Sequence, residues 1–151
     1  IGDFGLGQRA TVFDLNGSRL GVSICYEIIF PDLVRLPVKN GAEYLVNITN
    51  DAWFGKSAAS YQHISMASLR AVENRTPIVR AANTGISGII DATGEIRNTT
   101  ELFTREFVVS EIAPNKGPRT FYSQYGDVFS YLCLILTIAI SLLAYRGLPR
   151  D

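Results

Sequence analysis

Cysteine is scarce in this chain of 151 residues, which holds only Cys25 and Cys133. Two thiols so far apart exclude a disulfide framework and a cysteine-based zinc site, so each needs its own account. Excess charge of either sign is also missing. Fourteen Lys and Arg balance fourteen Asp and Glu, which leaves no basic field to draw nucleic acid and no acidic tail. Nucleic-acid binding is therefore set aside. Ile1 is preceded by no initiator methionine, and the start lacks the basic-then-apolar order of a leader, so no targeting segment is legible. More chain is expected upstream.

Hydrophobic residues are plentiful, at 47%, but unevenly spread. From Val128 to Tyr145 there is no charge, and Asp127 and Arg146 bracket the run. Its length reaches the ~17 to 25 residues that cross a bilayer core as a helix. A helix buried in a soluble core is the alternative reading, and it would have to be apolar all round. Tyr131 and Tyr145 lie near the ends, as interfacial aromatics do. Lys116 and Arg119 before the span nearly balance Arg146 and Arg150 after it, with the closeness of Arg146 favouring a cytoplasmic C-terminus. The expected organisation is a domain over 1–113, a juxtamembrane segment over 114–127 that lacks a periodic pattern, a transmembrane helix over 128–145 and a cytoplasmic tail over 146–151.

Ahead of the span the pattern alternates between strand and helix, without repeats or low complexity. Ala10–Leu15 and Arg19–Ile24 read as strands joined at Asn16-Gly17, two residues that accept positive φ and so mark a hairpin. Residues 30–40, with two prolines, read as a short helix and loop. Tyr44–Thr49 is a compact apolar strand, followed by a loop over 50–56. Ser57–Asn74 is the best helix, with Ile64, Ala67 and Ala71 at helical spacing and Pro77 beyond its end. Ile78–Ala82 reads as a strand, Gly88–Ile96 as a hairpin turning at Ala92-Thr93-Gly94, and Phe107–Ile112 as the last strand. This order implies a mixed α/β sheet layered against helices.

Cys25 ends the apolar strand and precedes Tyr26-Glu27, where a buried strand emerges into a turn. A thiol there can serve as a nucleophile if a neighbour promotes the thiolate. It can equally be a small hydrophobe closing the strand. His63, the one histidine, either pairs with Cys25 or has a structural role within its helix. Glu27 either opens a helix or works beside the thiol. Trp53 and Phe54 either plug their loop onto the core or wall an apolar substrate pocket. Cys133 lies inside the apolar run, where a thiol packs as a small side chain.

Four segments together carry a resemblance. They are Gly21-Val22-Ser23-Ile24-Cys25-Tyr26-Glu27, Asn47 through Ser57 with its Asn50-Asp51-Ala52-Trp53-Phe54-Gly55-Lys56 run, Gln62-His63 with Arg70-Ala71-Val72-Glu73-Asn74, and Asn83-Thr84-Gly85-Ile86-Ser87. The first resembles the nitrilase superfamily at large. The second is similar, far more specifically, to the nitrilase-type domain of the bacterial apolipoprotein N-acyltransferases, and the likeness runs from Gly21 to about Thr104.

The resemblance implies the C-terminal portion of a nitrilase-like αββα sandwich followed by one transmembrane helix, with no cofactor and no metal. Cys25 matches the nucleophile of a Glu-Lys-Cys triad, and Tyr26 and Glu27 match accessory positions beside it. Trp53 and Phe54 are the substrate-pocket candidates. The implied partners are a phospholipid acyl donor, a diacylglyceryl apolipoprotein acceptor and the bacterial inner membrane, with the domain on its extracytoplasmic side. The family's Glu and Lys lie upstream of the cysteine, so the chain alone is expected to be inactive. A membrane-anchored nitrilase-type amidase and a non-catalytic binding module remain the alternatives.

Overall fold

Residue 7 and residues 9–147 are described by a computed structural model. The chain opens with the hairpin β1 (Val12–Leu15) and β2 (Ser18–Ile24), antiparallel in the register Leu15 with Ser18. The turn between them takes positive φ at both Asn16 and Gly17, 53° and 79°. Helix α1 (Pro31–Lys39) returns the chain to the start of β3 (Tyr44–Asn50), and α2 (Ala59–Asn74) returns it to β4 (Ile78–Asn83). Strands β2, β3 and β4 are consequently parallel, as crossover helices require. Two short antiparallel strands, β5 (Gly88–Ile90) and β6 (Ile96–Arg97), complete a six-stranded sheet in sequence order.

Both crossover helices lie on one face of the sheet. Ile28, Val34, Val38, Leu45, Ile64, Ala67, Ala71, Ile78 and Ile90 form the buried core there. Alanines on α2 allow close approach to the strands. Gly21 does the same for α1, since a Cβ there would stand 2.6 Å from Pro37 Cβ. Pro31 occupies the first turn of α1, where its missing N–H costs no helical bond. Pro37 lacks the N–H that would bond Leu33 O, and the helix ends two residues later at Lys39. The opposite face carries Phe13, Leu20, Val22, Ile24, Val46 and Ile48, several of them half exposed. The described residues thus build one helix layer on one sheet, half of the layers an αββα sandwich contains.

Two expectations need correction. Residues 107–112 form no strand: Phe107 and Val109 are 88% and 85% exposed, and no ladder bonds include them. An aromatic and β-branched composition supplies only the propensity for a strand, which also needs a partner edge, and the neighbouring β6 is two residues long. Within the juxtamembrane segment, read as aperiodic, a short helix α3 (Phe121–Tyr125) forms, its Thr120 hydroxyl accepting from Ser123 N–H at 3.0 Å. Thr120 and Ser123 tie α3 to the end of α2, through Glu73 O at 2.7 Å and Asn74 Oδ1 at 2.8 Å. Helix α4 (Val128–Gly147) follows, and its Val128–Arg146 stretch has a mean hydropathy of 2.3 and no buried residues. Residues 1–6, 8 and 148–151 of the expected domain and tail lie outside the described residues.

Candidate active site

The carboxyl ends of parallel strands are where open α/β sheets bind ligands, because the chain leaves them as loops rather than as packed helices. At this edge β2 delivers Cys25, β3 delivers Asn50 and Asp51, and β4 delivers Asn83 and Thr84. Cys25 is half-buried and adopts φ 53°, a left-handed conformation that costs a side-chain-bearing residue about 1–2 kcal/mol. Thr84 does the same at φ 61°, unusual for a β-branched residue. Backbone held this way persists only when its surroundings over-determine it.

Two sets of bonds hold the Cys25 elbow. On the outer side, Cys25–Ile29 forms a 3-10 turn whose Glu27 reaches back, Oε2 accepting from Ile24 N–H at 2.7 Å. Ile28 anchors the turn in the core. On the inner side, Asn47 Nδ2 donates toward Ser23 O at 3.2 Å, Ser23 Oγ at 3.1 Å and Cys25 O at 3.3 Å.

Behind Asn47 lies a buried polar cluster. Arg80 Nη1 donates to Asn47 Oδ1, Nη2 donates to Asp51 Oδ2 at 2.9 Å, and Nε donates to Ile86 O at 3.2 Å. Thr49 Oγ1 donates to Asp51 Oδ1 at 3.0 Å, and His63 Nδ1 lies 3.0 Å from the same oxygen. The same Nδ1 lies 3.1 Å from Arg80 Nη2, so it donates to Asp51 in one tautomer and accepts from Arg80 in the other. Burial holds His63 below its ordinary pKa, and the Arg80 charge adds to this against the opposing pull of Asp51. The imidazole is therefore neutral at pH 7. Burial likewise lowers Arg80, opposed by the charge of Asp51 and its hydrogen bond.

The loop after β3 separates the two aromatic candidates. Phe54 is half-buried and stands edge-on to His63, with ring centroids 5.8 Å apart, so it plugs the loop onto the cluster. Trp53 is 87% exposed. Tyr26 is half exposed and covers His63 from the other side at 5.6 Å. The neighbouring cavities lie to either side of this edge. One of about 480 Å³, on the flank of α1 and β1, is lined by Arg9, Phe13, Val22, Glu27 and Leu33. Another of about 290 Å³ lies between α2 and the segment around Thr100.

Of the three lysines in the sequence, Lys39 ends α1 and Lys116 follows Asn115, whose N–H bonds Glu43 O, so both lie at the far edge where β3 begins. Lys56 is on the Cys25 edge, 6.0 Å above the Phe103 ring. Among the described residues no cluster of three His, Cys, Asp or Glu is arranged to hold a metal ion.

The sequence profile of the carbon-nitrogen hydrolases matches residues 4–118. The chain belongs to the carbon-nitrogen hydrolase family. Within that family it is similar to the apolipoprotein N-acyltransferase of Geobacter metallireducens, 50% identical over 146 residues, covering 97% of this chain and 28% of that protein. The enzyme of the same name from Thermotoga maritima is 42% identical over 133 residues, 87% of this chain and 26% of its own length. The chain thus spans about a quarter of the length of these curated relatives. Among solved structures, an amidase from Nesterenkonia sp. AN1 superposes with a TM-score of 0.54 over 66% of this chain and 41% of its own, at 21% identity. That likeness shows the carbon-nitrogen hydrolase fold.

Reading the sequence brought Cys25, Tyr26, Glu27, Trp53 and Phe54 forward, and all five lie at one edge of this fold. It did not single out Asn47, Asp51 or Arg80. For Asn47 and Arg80 the signal was a polar residue at a helix-facing position of a parallel strand, whereas Asp51 lies in the loop that follows β3.

Proposed function

We propose that the protein carrying this chain transfers a fatty acyl chain from a phospholipid to the N-terminal amine of a diacylglyceryl-cysteine apolipoprotein, with Cys25 as nucleophile. The observation that carries the reading is the left-handed Cys25 at the carboxyl end of β2, in a chain 50% identical over 97% of its length to an apolipoprotein N-acyltransferase. In the first step the Cys25 thiolate attacks the ester carbonyl, a C–S bond forms, and the lysophospholipid alkoxide leaves with a proton. In the second, the acceptor amine attacks the thioester carbonyl, a C–N bond forms as the C–S bond breaks, and the proton lost by the amine returns to the Cys25 sulfur. Splitting the transfer in this way replaces one difficult step by two easier ones.

Tyr26 and Glu27 have accessory parts. The amides that open the 3-10 turn have no partner within it and are suited to an oxyanion. Trp53, exposed on the same edge, offers an apolar surface to an acyl chain. The Glu and Lys of a Glu-Lys-Cys triad are assigned to residues other than those of this chain, because Glu27 is engaged with Ile24 N–H and Lys56 lies against Phe103. The chain by itself is then inactive. Helix α4 is the membrane anchor, in the bacterial inner membrane, with the domain on the extracytoplasmic side.

The test uses the full-length protein in detergent with phospholipid labelled in its acyl chain. A hydroxylamine-sensitive label on Cys25 that passes to a diacylglyceryl-cysteine peptide is the expected result, and Cys25→Ser abolishes both. Amide hydrolysis without acyl label on Cys25 would replace this reading by the amidase.

A further inference from the structure

Asn47 lies on the central parallel strand, beside Ser23 of β2 and Arg80 of β4 in the register of the sheet. Its side chain is fully buried and spans both neighbours. Arg80 is a donor only, so the end of the carboxamide facing it must be the oxygen. The NH2 end is thereby turned to the carbonyls of Ser23 and Cys25 and to the Ser23 hydroxyl. No other side chain of this length offers an acceptor at one end and two hydrogens at the other. Aspartate would set oxygen against carbonyl oxygen, and leucine would leave both neighbours unpaired.

Arg80 is itself held in place. Asp51 takes one arm of its fork, Ile86 O takes Nε, and Thr49 and His63 both approach the second Asp51 oxygen. Gly85 leaves the space that the Asp51 carboxylate fills, since a Cβ at that position would collide with it. A buried ion pair is a weak device for stability alone, because apolar side chains of equal volume serve as well. What this one specifies is the orientation of Asn47.

We propose that Asn47, oriented by Arg80, is a positioning residue for Cys25: it holds the Cys25 carbonyl, and with it the left-handed backbone that presents the sulfur at the strand end. Rotation of Cys25 to an extended conformation would carry its carbonyl off Nδ2 and swing the thiol away from its place beside the turn. The inference rests on the reading of Cys25 as nucleophile.

The test is made on full-length protein in detergent, with a Cys133→Ser background for the thiol measurements. Two quantities are read: kcat and KM with labelled phospholipid, and the rate of Cys25 alkylation by iodoacetamide against pH. Asn47→Asp keeps an acceptor for Arg80 and loses the donors to Cys25. Its kcat falls about 100-fold, the penalty of a misplaced reacting group, with KM nearly unchanged. The rate of its Cys25 alkylation across the pH profile departs from the wild type by about tenfold, because the sulfur leaves its place beside the turn. Asn47→Ser, smaller and uncharged, is the second variant should the aspartate protein not fold, and the same loss of kcat at constant KM is expected. A role in stability alone would lower the yield or melting temperature of either variant while leaving kcat per folded molecule and the alkylation profile as in the wild type, and that result overturns the proposal. Cys25→Ser that still transfers acyl chains overturns the nucleophile reading instead, so the two failures are told apart.

Discussion

Arg80 Nη2 and Asp51 Oδ2 meet across 2.9 Å, with Arg80 2% and Asp51 1% exposed to solvent. Removing one partner leaves the other charged and buried. Arg80→Met should therefore destabilise the protein by about 3–5 kcal/mol, whereas Arg80→Met combined with Asp51→Leu should recover much of that loss. A double-mutant cycle by thermal unfolding of the full-length protein measures the coupling. Equal and additive losses from the two single changes would mean that the pair is not coupled.

The acid limb of stability should carry the signature of His63. Its folded-state pKa lies below the ordinary 6.5, mainly through burial and then through Arg80. The unfolded chain therefore binds the proton first as pH falls. Stability from this group is complete above 6.5 and is lost as pH drops from there through the folded pKa. Glu73, raised above its ordinary 4.5 chiefly by burial, acts with the opposite sign, favouring the fold at low pH and losing that advantage as pH rises from 4.5 through the folded pKa. The difference between wild type and His63→Gln isolates the histidine. Melting temperatures from pH 5 to 8 should converge between the two toward acid pH, and a constant gap would contradict the assignment.

Gly21 makes a sharper structural prediction. A Cβ at this position would meet Pro37 Cβ at 2.6 Å and Leu45 Cδ2 at 2.9 Å, both in the α1 interface. Pro37 Cβ belongs to a rigid ring, and the Leu45 methyl, on a side chain 1% exposed, has little room to turn away. Gly21→Ala should cost about 1–3 kcal/mol by overpacking, seen as a lower midpoint of thermal unfolding. A variant as stable as the wild type would mean that α1 shifts freely on the sheet.

Much of this fold is legible in the residues because its elements bury one face at a clear period. Ile64, Ala67 and Ala71 place α2, and Asn16-Gly17 places the hairpin, each by a local rule. Residues 107–112 have the aromatic and β-branched composition of a strand but no edge to pair with, and pairing is a property of the sheet rather than of the segment. Helix α3 has five residues, too few for any period, and is held by Thr120 and Ser123 against the end of α2. The cluster behind Cys25 escaped for a related reason. Asn47 and Arg80 are far apart in sequence, and only the β3–β4 register brings them together. The left-handed backbone of Cys25 has no sequence marker at all, since glycine is the residue that normally announces it.

Glu27 separates two kinds of chemistry beside the thiol. Its Oε2 accepts from Ile24 N–H at 2.7 Å, which closes the turn from outside as Asn47 does from inside. If that bond is the contribution of Glu27, glutamine can supply it, because the amide oxygen is still an acceptor, although a carboxylate makes the stronger bond. Glu27→Gln should then keep acyl transfer within about tenfold of the wild type, the cost of weakening a charged hydrogen bond to a neutral one. Glu27→Ala should lose far more, because the Ile24 amide is left without its partner and the turn is free to open. If Glu27 instead moved a proton during the reaction, glutamine would be as inactive as alanine. Single-turnover acyl loading of Cys25 in the two variants, measured against pH, distinguishes the cases: a turn-closing role gives glutamine the wild-type profile, and a proton-transfer role removes the limb that Glu27 controls.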